Sequence, residues 1–265
     1  VSAPRFAVNC SILFTELPLW ERPAAAKKAG FDAVEFWWPW PVAVPGDAEI
    51  DRFVATIADA GVQLVGLNFA AGDMPAGDRG LVSWPARSGE FRDNVDVTVG
   101  IGERLGCRAF NALYGNRVED GTAAAEQDEL ATENLAIAAR AAKRVEGTVL
   151  VEPVSGAPRY PLRTAADVLA VVDRVGEDNV RLLFDVYHLA VNGDDVDAAI
   201  DAAKGRIGHV QIADAPGRHQ PGTGGLPIGR WVEKIFATGY DGWAACEYNP
   251  EGLSADSFGW LEGSR

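Results

Sequence analysis

Four side chains with oxygen donors close four successive strand-like runs: Glu152 in "VLVEPV", Asp185 in "LLFDVYH", Gln211 in "GHVQIAD" and Glu247 in "ACEYNP". Each follows mostly apolar residues, where an unpaired charge or amide is costly to bury. One alone reads as the partner of a neighbouring Arg or Lys. Four at equivalent heights, with no Lys or Arg inside these strand ends, read more economically as a divalent cation site. Oxygen donors favour a hard or borderline ion, so Glu152, Asp185, Gln211 and Glu247 are the expected ligands of Mg2+ or Mn2+. His188, three residues past Asp185 at the end of the sixth run, can hydrogen-bond a substrate oxygen or sit as a satisfied core histidine. His209, two residues before Gln211, shares its face but lies deeper, which suits support of a ligand better than ligation. His219 falls in a polar loop and is expected at the solvated surface.

Such groups converge only if their strands run parallel and end on one face. The chain alternates short β-branched or aromatic runs with longer Ala-rich amphipathic stretches. Strands are expected at 6–12, 33–38, 62–69, 107–114, 148–154, 180–188, 207–214 and 242–248. Helices are expected at 18–29, 47–60, 88–105, 122–145, 164–175, 194–203 and 227–238, with a short one at 253–262. Glycines just beyond the helices (Gly61, Gly106, Gly176, Gly239) fit left-handed caps. Strand–helix alternation implies parallel strands with crossover helices. Eight units in 265 residues predict a single-domain (β/α)8 TIM barrel spanning 1–265. A doubly wound open sheet is the alternative, but no GxGxxG or P-loop pattern follows the first strand.

The 24 basic and 38 acidic residues leave a net charge of −14, which disfavours nucleic acid and anionic membrane as partners. A small anionic substrate needs only a local arginine. Cys10, Cys107 and Cys246 have no CxxC spacing and read as buried, reduced thiols. No signal-peptide pattern opens the sequence and no apolar run reaches membrane-spanning length, so a cytoplasmic location is expected. Trp37, Trp38 and Trp40 in "EFWWPWP" either roof the site or pack a homodimer interface. Glu35 in the same stretch is expected to order the barrel interior rather than perform chemistry.

The motifs "VEP", "FDVYH", "GHVQIADAPGRHQPGTG" and "CEYNP", with "RFAVNCSILFTE", "GFDAVEFWWPW" and "NFAAGDMPAGDRGL", resemble the hydroxypyruvate isomerase family of the xylose-isomerase-like barrels. The likeness runs in order along nearly the whole chain. It implies metal ligation by Glu152, Asp185, Gln211 and Glu247, with Glu152 and Glu247 also the acid–base pair. It further implies that His188, Arg218 and Asn68 contact substrate. Arg79, in the Gly-rich loop after the third strand, either joins them or orders that loop through an ion pair. Gln211 stands where sugar epimerases of the superfamily carry histidine. The chain departs from the family pattern at Leu67, where histidine is common, and at Gly225, where glutamate is frequent.

The implied reaction is the interconversion of hydroxypyruvate and tartronate semialdehyde through an enediolate, on a small hydroxy or oxo acid. A 2-oxo-tetronate isomerase or a ketose 3-epimerase would use nearly the same strand ends. A non-catalytic sugar-acid binding protein needs no acid–base pair. A DNA-repair nuclease on this barrel needs more histidines than three, and a basic face.

Overall fold

The computed structural model describes residues 3–263. Eight strands close in sequence order into a parallel barrel: β1 Phe6–Asn9, β2 Ala33–Phe36, β3 Gln63–Asn68, β4 Ala109–Asn111, β5 Thr148–Val151, β6 Val180–Asp185, β7 Ile207–Ile212 and β8 Ala244–Cys246. Helices α1 Arg22–Lys28, α2 Asp47–Ala60, α3 Ser88–Leu105, α4 Ala124–Ala142, α5 Ala165–Val175, α6 Val186–Val191, α7 Val196–Ala202 and α8 Ile228–Ala237 surround it. This is the expected TIM barrel. No helix among the described residues is long and apolar enough to cross a membrane.

Several expected elements are shorter than their hydrophobic runs, and the reason is side-chain chemistry at their ends. The first strand stops at Asn9 rather than at 12, because Asn9 Oδ1 accepts the Ser11 backbone N–H at 2.9 Å and turns the chain. The sixth stops at Asp185 rather than at 188. Its carboxylate caps α6, a helix the sequence reading had not separated, by accepting the N–H groups of Tyr187 and His188. His188 is therefore a helix residue and not a strand residue. The stretches 18–29 and 122–145 each divide into an α-helix and a 3-10 turn. The last segment, Ser254–Gly263, is 3-10 throughout.

Inside the barrel, side chains two residues apart on a strand share the inward face and stack in layers. Ala7, Ala33, Val65 and Ala245 form a small apolar layer near the N-terminal end. Two residues further on, β1, β2 and β8 place Asn9, Glu35 and Glu247 inward, each buried. Pairing across β6 and β7 sets Asp185 beside Gln211, and β7 with β8 sets Gln211 beside Ala245. The register of β2 against β3 shifts between Val34 and Glu35, which brings Glu35 opposite Gly66. A Cβ at position 66 would lie 3.1 Å from Glu35 Oε2, so glycine there makes room for the carboxyl group.

Helix α3 ties together two of the loops at the barrel mouth. Asn94, fully buried, accepts the Ala70 N–H at 2.8 Å and donates to the Ala43 carbonyl at 2.8 Å. Asn94→Ala leaves both backbone groups unsatisfied in a dry environment, and we expect a loss of roughly 2–4 kcal/mol. Urea denaturation checks this; a midpoint equal to wild type contradicts it.

Candidate active site

Carboxylates one residue beyond β5 and β8, and at the end of β6, meet at the C-terminal mouth of the barrel. A cavity of about 330 Å³ opens there, lined by Glu152, Glu247, His188, Arg218, Asn68 and Arg79 with Trp37 on one side. Every residue expected to touch substrate thus faces one space. Met74, Leu113 and Val154 supply its apolar wall.

The four expected ligands share one design, in which one polar atom is held by the protein frame. Asp185 uses Oδ1 to cap α6. Asn111 Nδ2 donates to Glu152 Oε1 at 3.1 Å. Gln211 Nε2 donates to Glu35 Oε1 at 2.8 Å and to Glu247 Oε1 at 3.2 Å. Glu247 Oε1 also accepts from Trp37 Nε1 at 2.6 Å and from Asn9 Nδ2 at 3.0 Å. The second atoms are left for other partners, and Gln211 Oε1 is buried without a hydrogen-bond partner among the described residues. A buried acceptor with no donor is costly, and a cation would satisfy it. The donor set therefore fits a hard divalent metal.

Arg218, expected at the substrate, reaches in from the loop after β7 and also meets the strand-end carboxylates. Its Nη2 lies 2.5 Å from Glu247 Oε2 and 3.9 Å from Asp185 Oδ2, with the guanidinium 5.3 Å from the Tyr187 ring centre. The loop is folded around Asp214, whose buried carboxylate accepts from the backbone N–H groups of Ala215, Gly222, Gly224 and Leu226. Gly224 is packed so closely that a Cβ would sit 2.1 Å from the Ala215 carbonyl oxygen. Arg79 is turned on its own loop, donating to the carbonyls of Met74 and Asp78.

Crowding these carboxylates in a buried site favours their protonated forms. Burial pushes Glu152 well above the usual carboxylate range, and the neighbouring Glu247 and Asp185 push it further. Burial raises Glu247 to about 8 and Asp185 to about 6, in both cases against the opposing pull of Arg218. His188 is held well below its ordinary value by burial and by the charges of Arg218 and Arg79, so its ring is neutral at pH 7.

Ligand atoms of Asp185, His188 and Glu247 lie within 4.8 Å of one another, a spacing that could hold a metal ion; Glu152 stands outside that group. The hydrogen bonds of His188 argue for a different role. The Ser155 backbone N–H points at His188 Nδ1 at 3.0 Å, and Ser155 Oγ is 2.8 Å from the same nitrogen. A backbone N–H can only donate, so Nδ1 holds the lone pair and the neutral ring carries its proton on Nε2. That nitrogen, 3.7 Å from Asp185 Oδ2, is a donor and not a ligand.

Beneath the mouth, His209 Nε2 is 2.5 Å from Glu35 Oε2, while Asn9 Nδ2 donates to Glu35 Oε1 at 2.9 Å. His209 and Glu35 thus do the supporting work expected of them. His219 is half-buried rather than solvated, with Nδ1 2.7 Å from the Asn249 carbonyl oxygen. Trp38 and Trp40 pack edge-on at 4.8 Å, away from the hydrogen bond that Trp37 makes. Sequence reasoning missed Asn9, Asn111 and Ser155. The signal was present for two of them: "FAVN" and "AFN" end in a polar residue, as "GLN" does at Asn68.

Fold and site together define a TIM barrel with buried carboxylates gathered at the C-terminal ends of its strands. Residues 23–263 match the family model described as a xylose isomerase-like TIM barrel. A Streptomyces coelicolor protein named as a hydroxypyruvate isomerase is 54% identical, over 97% of this chain and 95% of its own length. A 2-oxo-tetronate isomerase of Cupriavidus necator is 35% identical, over 98% of each chain. The solved structure titled AP endonuclease, family 2, from Brucella melitensis superposes with a TM-score of 0.89 at 34% identity, covering 99% of both chains. The chain belongs to the xylose isomerase-like TIM-barrel family, in its hydroxypyruvate isomerase branch, and is an enzyme of the isomerase class.

The tautomer of His188 is open to direct measurement. Nitrogen-15 spectra of the protein, with only three histidines to assign, are expected to show Nε2 protonated and Nδ1 bare. A protonated Nδ1 contradicts the assignment.

Proposed function

We propose that the protein interconverts hydroxypyruvate and tartronate semialdehyde (2-hydroxy-3-oxopropanoate), with Mg2+ or Mn2+ held by Glu152, Asp185, Gln211 and Glu247. The observation that carries this reading is the one-sided anchoring of these four side chains, above all the buried and unpartnered Gln211 Oε1. A divalent ion bound there would supply positive charge to offset the negative charge developing on the substrate oxygens.

The remaining work falls to the chain itself. Isomerisation takes a proton from the hydroxymethyl carbon and returns one to the adjacent carbonyl carbon, through an enediolate. Glu152 and Glu247, one residue beyond β5 and β8, are the pair that moves it. His188 offers its Nε2 proton to the oxygen where charge develops. Arg218 and Arg79 line the same cavity and offer guanidinium forks for the substrate carboxylate, with Asn68 beside them. Trp37 covers one flank and keeps water from the intermediate.

A four-carbon 2-oxo acid is the second reading. The identity to the Cupriavidus necator 2-oxo-tetronate isomerase favours it.

Glu152→Gln and Glu247→Gln are each expected to lower turnover at least about 100-fold while the circular dichroism spectrum stays native. Full activity in either variant removes it from the pair. Chelation should abolish activity, and Mg2+ or Mn2+ should restore it; a chelated enzyme at full rate contradicts the metal assignment. Incubation in deuterated water, followed by proton NMR, separates the substrates. Deuterium entering hydroxypyruvate as it isomerises supports the first reading, whereas turnover of the four-carbon acid alone promotes the second.

A further inference from the structure

Glu247 is held unlike the other carboxylates of the site. Its Oε1 receives three N–H groups: Trp37 Nε1 at 2.6 Å, Asn9 Nδ2 at 3.0 Å and Gln211 Nε2 at 3.2 Å. A carboxylate oxygen has two lone-pair directions, so three donors leave none for a proton or a cation. Two of those donors are shared, because Asn9 and Gln211 also donate to Glu35 Oε1. The indole has one hydrogen and directs it to Glu247 alone, over the shortest of the three distances. By contrast, among the described residues Glu152 Oε1 accepts from Asn111 alone, and the other oxygen of Glu247, Oε2, meets Arg218 alone, which is also a cavity-lining group.

We propose that Trp37 is a positioning residue, which closes Oε1 of Glu247 and leaves both the ligand bond and the proton transfer of that carboxylate to the two lone-pair directions of Oε2. The proposal rests on the acid–base reading given above. It makes the two glutamates unequal: Glu152 meets the substrate with a loosely held carboxylate, Glu247 with a single oriented oxygen. It also gives Arg218 a second task, since the guanidinium must leave Oε2 before that oxygen can work. The aromatic stretch "EFWWPWP" then divides by role. Trp37 acts on the site, and Trp38 and Trp40 pack the loop that carries it.

Trp37→Phe keeps an aromatic wall and deletes the N–H. In enzyme supplied with Mg2+, kcat is expected to fall on the order of 10- to 100-fold, the worth of a hydrogen bond to a charged group, with KM changed less than about threefold. A raised KM at wild-type kcat, or no change in either, makes Trp37 a wall and overturns the proposal. A second measurement does not depend on turnover. The Trp37 indole N–H of nitrogen-15-labelled protein, identified by its absence from the Trp37→Phe spectrum, should lie far downfield, exchange slowly with solvent, and shift in Glu247→Gln. An indole resonance at an ordinary position that exchanges fast, and ignores Glu247→Gln, overturns the proposal. If the wild type turns over neither oxo acid, the functional reading fails on its own, and the indole resonance still decides the contact.

Discussion

Glu35 lies inside the barrel, 3% exposed, with Asn9, Gln211 and His209 all turned toward its two oxygens. A carboxyl group buried this deeply is tolerable only if its partners arrive together. They come from β1 and β7, at heights set by the closure of the sheet, and Gly66 on β3 leaves the space. Two of these partners, Asn9 and Gln211, continue upward to Glu247. The mouth of the barrel therefore rests on a polar layer built at the cost of hydrophobic packing. That layer decides which end of the Gln211 amide is taken up by Glu35 and Glu247.

The logic explains why an amide serves at position 211. Glu35 and Glu247 both require a donor from it, and its oxygen is left without a hydrogen-bond partner among the described residues. A carboxylate would bring a further negative charge among groups whose proton affinity burial has already raised. An amide carries a donor and an acceptor on one planar head, with no charge. Its orientation follows from its neighbours.

Much of this was legible in the sequence, because the barrel repeats one unit, a short apolar run followed by a longer amphipathic stretch. Glu152, Asp185, Gln211 and Glu247 were found because a polar residue ending an apolar run stands out. The same signal at Asn9 and Asn111 was masked by runs that continued past the sheet, "FAVNCSI" and "CRAFNALY", where apolar loop residues mimic strand. His188 was placed on a strand for a related reason: "LLFDVYH" reads as one β-rich run, and only the capping bonds of Asp185 reveal the helix within it. Contacts between distant segments were beyond reach. Nothing local in "EPVSG" marks Ser155 as a partner of His188, 33 residues away. Nor does "APGRHQPG" disclose that Arg218 turns inward to Glu247.

The loop after β7 carries its own fold. Asp214 gathers backbone N–H groups from Ala215 to Leu226, so both ends of the segment are fixed by one carboxylate at the rim of the barrel. Residues between those anchors contribute to what the mouth admits without setting where β7 ends or where α8 begins. The closure of the sheet and the lining of its mouth are thus assigned to different parts of the chain, with Gly224 held to glycine by the loop's own packing.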